Sequence, residues 1–96
     1  MMIIQLKCEI KNTPEMNGGF IKFVVSEETR FGITYYNVFV KNKIKKNLLH
    51  LQRAYKHGMT LFISGEINTT IENSKTIRNI FADSINILYY YAYYKR

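Results

Sequence analysis

The sequence predicts an all-β domain: a five-stranded Greek-key barrel with one helix between its third and fourth strands. Three observations predict it. Apolar residues alternate with a period of two in five separate segments. That period changes once, to the spacing of a helix, over residues 44–55. Finally, Gly, Asn and Pro gather at the joints between these segments. At 96 residues and 47% hydrophobic content, the chain makes one domain with enough apolar side chains for a core.

Residues 2–10 place Ile4, Leu6, Cys8 and Ile10 on one face and Gln5, Lys7 and Glu9 on the other, the mark of a half-buried strand. Thr13-Pro14-Glu15 and Asn17-Gly18-Gly19 then punctuate the chain as a turn region. A second strand over residues 20–26 sets Phe20, Lys22 and Val24 against Ile21, Phe23 and Val25, and polar residues 27–32 read as a loop closing on glycine. In the third strand, residues 33–41, Ile33, Tyr35, Asn37, Phe39 and Lys41 share one face while Tyr36, Val38 and Val40 share the other. Ile44, Leu48, Leu51 and Tyr55 form a single helical stripe, with Asn42 as N-cap and His57-Gly58 where a left-handed C-cap is expected. Alternation returns over residues 59–70, Glu72-Asn73-Ser74 reads as a hairpin turn, and residues 76–88 form the last strand. Three strands, a helix and two strands is the element order of the OB-fold. We assign residues 1–88 to that domain and 89–96 to a tyrosine-rich C-terminal extension.

Fourteen Lys and Arg against seven Asp and Glu leave a formal charge of +7, which attracts polyanions. Eight Tyr and six Phe accompany that charge, and single-stranded nucleic acid needs both: cations for phosphates and aromatic faces for unstacked bases. The lone cysteine, Cys8, excludes an intramolecular disulfide framework and a multi-cysteine zinc site. No apolar run approaches the roughly 18 residues of a membrane span, and the start lacks the basic region of a signal peptide, so a cytoplasmic domain is expected.

If Tyr36, Val38 and Val40 fill the interior, the alternate set must face outward, making Tyr35, Asn37, Phe39 and Lys41 the first binding candidates. Lys41, Lys43, Lys45 and Lys46 crowd the junction between strand and helix, where cations oppose the helix dipole and so suit phosphate contact better than local stability. Lys22, beside the second-strand aromatics, and Arg78, on the last strand, join the set. Tyr89, Tyr90, Tyr91, Tyr93 and Tyr94 are expected to form a partner interface, since tyrosine supplies rigid amphipathic area. Catalysis finds no support. Cys8 shares a face with Leu6 and Ile10, and His50 and His57 have no third ligand at metal spacing. Asn17-Gly18-Gly19 lacks the Lys and helix of a phosphate loop, so neither enzyme activity nor a metal or other cofactor is expected.

Several segments resemble bacterial single-stranded DNA-binding proteins, in order and across residues 4–88. They are Ile10-Lys11-Asn12-Thr13-Pro14-Glu15, Asn17-Gly18-Gly19, Thr34-Tyr35-Tyr36-Asn37-Val38, the stretch from His57-Gly58 through Ile63-Ser64-Gly65-Glu66-Ile67, and Phe81-Ala82-Asp83 with Ile85-Asn86-Ile87-Leu88. The chain departs from that family at Cys8 and Lys11, where glycines are usual, and in its short 26–34 loop, where Phe31 is a loose match to a loop aromatic. It also lacks the long acidic-tipped tail, and in compactness it is similar to the primosomal replication protein N branch. The resemblance implies single-stranded DNA as partner and self-association. It further implies an accessory role in replication or repair beside a DNA polymerase, helicase or primosome component. A small tail-less form suits a phage, plasmid or other mobile element as readily as a chromosome. Two alternatives stand beside this reading: an adaptor whose OB-fold binds a replication enzyme and touches nucleic acid weakly, and an RNA-binding OB domain. A basic membrane-surface protein is the weakest option, because the helix carries an ordinary core stripe rather than a broad lipid face.

Overall fold

The computed structural model describes residues 2–41 and 45–88. Its elements are β1 (Met2–Ile10), β2 (Glu15–Asn17), β3 (Phe20–Thr29), β4 (Gly32–Lys41), α1 (Lys45–Lys56), β5 (Thr60–Glu72) and β6 (Lys75–Leu88). Five long strands close into a ring. β1 pairs antiparallel with β5, β5 with β6, β3 with β4, and the end of β1 returns to β3 through Glu9↔Ser26 and Ile10↔Val25. The remaining joint is parallel and short, Asn37↔Asn79 to Phe39↔Phe81 between β4 and β6. This is the all-β five-stranded arrangement with one intervening helix that the alternation predicts.

The core lies inside the ring. Leu6, Cys8 and Ile10 of β1, Ile21, Phe23 and Val25 of β3, Tyr36 and Val38 of β4, Leu61 and Ile63 of β5 and Ile80 of β6 are buried together. Each alternates with an outward residue, because successive strand side chains point to opposite faces. Leu51 and Ala54 of α1 complete the cluster. The Gln52 side-chain amide donates to the Pro14 carbonyl at 3.2 Å, tying α1 to the turn after β1. Burial leaves Cys8 inert, its thiol pushed up to about 12 by loss of water and then by the charges of Glu27 and Glu9.

The helix ends as its glycine predicts. Gly58 is left-handed at φ 61°, its N–H donates to the Tyr55 carbonyl at 3.2 Å, and the Met59 N–H reaches the Ala54 carbonyl at 2.9 Å. Those two bonds are the Schellman pair that satisfies carbonyls at a helix C-terminus. At the β5–β6 turn, Asn73 and Ser74 both have positive φ, the two-residue geometry that matches strand twist.

Three local expectations are corrected. The turn region contains a three-residue strand, β2, paired to β3 through Glu15↔Lys22 and Asn17↔Phe20. The loop expected over residues 27–32 is two residues long, because β3 and β4 stay paired out to Thr29↔Gly32. There the Thr29 hydroxyl accepts the Phe31 N–H and donates to the Gly32 carbonyl, bracing the turn from within. On α1 the buried stripe turns towards Ala54, leaving Tyr55 exposed. The capping residue Asn42 and stripe residue Ile44 lie outside the described residues, as does the whole extension over 89–96. Among the described residues no helix is long and apolar enough to cross a membrane.

Candidate nucleic-acid interface

β4 presents its odd-numbered residues outward, as its alternation requires. Tyr36 and Val38 are buried, whereas Tyr35 is 56% exposed, Lys41 is exposed, and Asn37 and Phe39 are half-buried. Register then decides what stands beside them. On β3, Lys22 lies opposite Phe39 and Phe20 opposite Lys41. On β6, Asn79 lies beside Asn37 and Phe81 beside Phe39.

The result is a row running across three strands. Lys22 Nζ sits 5.6 Å from the centre of the Phe39 ring, and the Phe39 and Phe81 rings stack at 5.3 Å with 20° between their planes. A cation over one ring and a second ring beside it is a favourable pairing in its own right. Phe81 nonetheless stays 43% exposed. One step along, the Asn37 amide donates to the Asn79 side-chain oxygen at 3.1 Å, fixing both amides on the same surface. Tyr35 follows beyond Asn37, four residues from Phe39 and so about 13 Å along the strand. The hairpin tip ends the line with Phe31, 87% exposed, whose ring centre lies 5.0 Å from the Arg30 guanidinium.

The structure therefore gathers Lys22, Tyr35, Asn37, Phe39 and Lys41 on one face. It does not gather Arg78, which shares its parity on β6 with the fully buried Ile80 and lies on the side of Tyr36. There the Tyr36 hydroxyl donates to Glu27 at 3.1 Å. Loss of water, together with the Glu27 charge and that hydrogen bond, raises the tyrosine's affinity for its proton, while the Arg78 charge opposes them. Lys43 lies outside the described residues, Lys45 is placed only as the first residue of α1, and Tyr89, Tyr90, Tyr91, Tyr93 and Tyr94 also lie outside. Sequence reasoning left out Phe81. The signal for it was parity: Phe81 follows Ile80, whose side chain turns inward, and so takes the opposite face.

Acids sit at the margins of this surface rather than along it. Glu66 pairs with Phe81 from β5, and Glu28 pairs with Ile33 near the hairpin tip. At the other end a cleft of about 650 Å³ opens between α1, the last residues of β4 and the second half of β6. Among the described residues no three His, Cys, Asp or Glu side chains converge as metal ligands.

No protein-family model matches the sequence, and no curated protein matches it by sequence comparison. Solved structures do. The mitochondrial single-stranded DNA-binding protein Rim1 of S. cerevisiae is 17% identical with a TM-score of 0.68, over 91% of this chain and 92% of that one. A second crystal form of Rim1, also 17% identical, gives 0.69 over 90% and 92%. The small single-stranded DNA-binding protein from Streptomyces coelicolor is 16% identical with a TM-score of 0.63, over 90% of this chain and 93% of that one. The motif resemblance and the architecture agree: this chain has the fold shared by these single-stranded DNA-binding proteins.

Proposed function

We propose that the chain binds single-stranded DNA across the outward face of β3, β4 and β6. The observation that carries this reading is the row Lys22–Phe39–Phe81 with Tyr35 beyond it, aromatic rings and cations gathered on one outward surface. Bases stack on such rings regardless of identity, and lysines track the phosphates. The fold shared with Rim1 and the Streptomyces protein supports the same reading.

A fluorescence titration with oligo-dT at low salt tests it. Tyr35→Ala should weaken binding by about 1–3 kcal/mol, the range for one stacked base. Equal affinities for wild type and Tyr35→Ala would remove Tyr35 from the site, and no binding by the wild type would remove the function.

The finer role we assign is that of a self-associating accessory subunit in replication or repair. The β1 edge supports association, since over residues 2–8 β1 has only β5 beside it among the described strands. Light scattering reads that directly. Co-purification with and without residues 89–96 tests whether the tyrosine extension holds a polymerase, helicase or primosome component.

A further inference from the structure

The cleft between α1 and β6 begins where the aromatic row ends. Phe39 and Phe81 form part of its wall, Lys41 stands at the end of β4, Asn47 and His50 come from α1, and Asp83 comes from β6. At about 650 Å³ it falls within the range of small-ligand pockets.

Asp83 is aimed there by a specific device. The β5–β6 ladder runs from Ser64↔Ser84 to Gly65↔Ala82, so Asp83 has no residue opposite it and forms a bulge. Bulges re-aim side chains. This one leaves both Asp83 and Ser84 exposed, where strict alternation would have hidden one of them. The bulge also presses the chain against Gly65, where any side chain would meet the backbone of Phe81 and Ala82. The carboxylate so placed forms no hydrogen bond or ion pair with any described residue.

We infer that this cleft receives one unpaired base and that Asp83 selects guanine there. The inference rests on the single-strand reading above and adds to it a base preference at one position. A carboxylate only accepts hydrogen bonds, and it can accept two in parallel. Guanine alone among the DNA bases offers two adjacent donors on its Watson–Crick edge, N1–H and the N2 amine. Adenine and cytosine set one amine beside an acceptor, and thymine sets N3–H between two. Unstacked bases are read on that same edge. Asn47, on the opposite wall, supplies an amide able to donate to guanine O6. An acid in this place repels phosphate, so a strand crossing Phe39 and Phe81 turns a base rather than its backbone towards it.

The test titrates labelled dT12 and four versions in which one central thymine becomes guanine, adenine, cytosine or hypoxanthine, all at one salt concentration. The guanine oligonucleotide should bind about five- to tenfold tighter than dT12, the scale of one bidentate base contact. The hypoxanthine version, lacking the N2 amine, should lose most of that gain. Asp83→Asn should bind the guanine version no tighter than it binds dT12. Affinities within twofold across all five oligonucleotides would overturn the proposal, as would a guanine preference that survives Asp83→Asn. The hypoxanthine comparison uses the unaltered protein, so it decides the matter even where Asp83→Asn fails to fold. Failure of dT12 itself to bind refutes single-strand binding and the pocket with it, whereas dT12 binding without a guanine gain refutes the pocket alone.

Discussion

Replacing Gly65 by alanine sets two opposed effects against each other at one position. Added to Gly65, a Cβ would fall against the Phe81 carbonyl oxygen, 2.7 Å from Ala82 Cα and 2.9 Å from the Phe81 carbonyl carbon, where ordinary contact is 3.4–4 Å. All three atoms belong to the backbone of β6, so no side chain can swing aside. Relief requires moving the strand, and such forced shifts in packed regions cost about 1–3 kcal/mol. Against that, alanine restricts the unfolded chain and returns about 0.4–1 kcal/mol. Gly65 is not among the positive-φ glycines, so no backbone-conformation penalty adds to the steric one. The net loss is about 1–2 kcal/mol. At about 4–8 °C per kcal/mol for a domain of this size, the melting temperature should fall by about 4–16 °C. Far-UV circular dichroism during thermal unfolding reads this, with urea midpoints as a check. A Gly65→Ala melting temperature equal to or above the wild type would mean that the approach of β5 to the bulge is loose, and the account of how Asp83 is held would fail with it.

Other outcomes follow from the same surfaces. Alanine at Lys22 and at Lys41 should each flatten the salt dependence of oligo-dT binding by about 0.7 in log–log slope, if each cation releases one counterion from a single strand; unchanged slopes would remove both from the phosphate track. Phe81→Ala should weaken oligo-dT binding by about 1–3 kcal/mol, as Tyr35→Ala does, and an unchanged affinity would limit the stacking surface to β4. Cys8 should resist a disulfide reagent in the native protein at pH 8 and react at once in urea. Its folded pKa is raised from 9.0 to about 12, so its contribution to stability is complete below about pH 9 and is lost as pH rises towards 12. Rapid native labelling would show that β1 opens more readily than its burial implies.

The ring was legible because its strands carry the pattern that makes a strand half-buried. Tyr36 and Val38 alternate with Tyr35, Asn37 and Phe39, so one inward assignment orients every neighbour on β4. The C-cap was legible for a similar reason, since Gly58 suits the left-handed conformation. Other features depend on partners far along the chain. Phe81 joins the face only because β6 lies parallel to β4, a pairing of residues 42 positions apart. Arg78 is one residue from Asn79, yet that step turns it to the other side of the sheet. β2 is too short to show alternation, and its pairing with β3 defines it. The choice of Ala54 over Tyr55 reflects the angle at which α1 meets the ring, which periodicity on the helix alone leaves open.

The parallel joint between β4 and β6 is one of the two short seams of the ring, three residue pairs beside the two that join β1 to β3 and the eight that join β1 to β5. The Phe39–Phe81 stack and the hydrogen bond from the Asn37 amide to the Asn79 side-chain oxygen straddle it. Anything that lies across both rings is therefore a splint as well as a cargo, bracing one of the two places where the ring is joined by few pairs. Occupancy and resistance to unfolding should climb together, as they do whenever a ligand grips only the closed form.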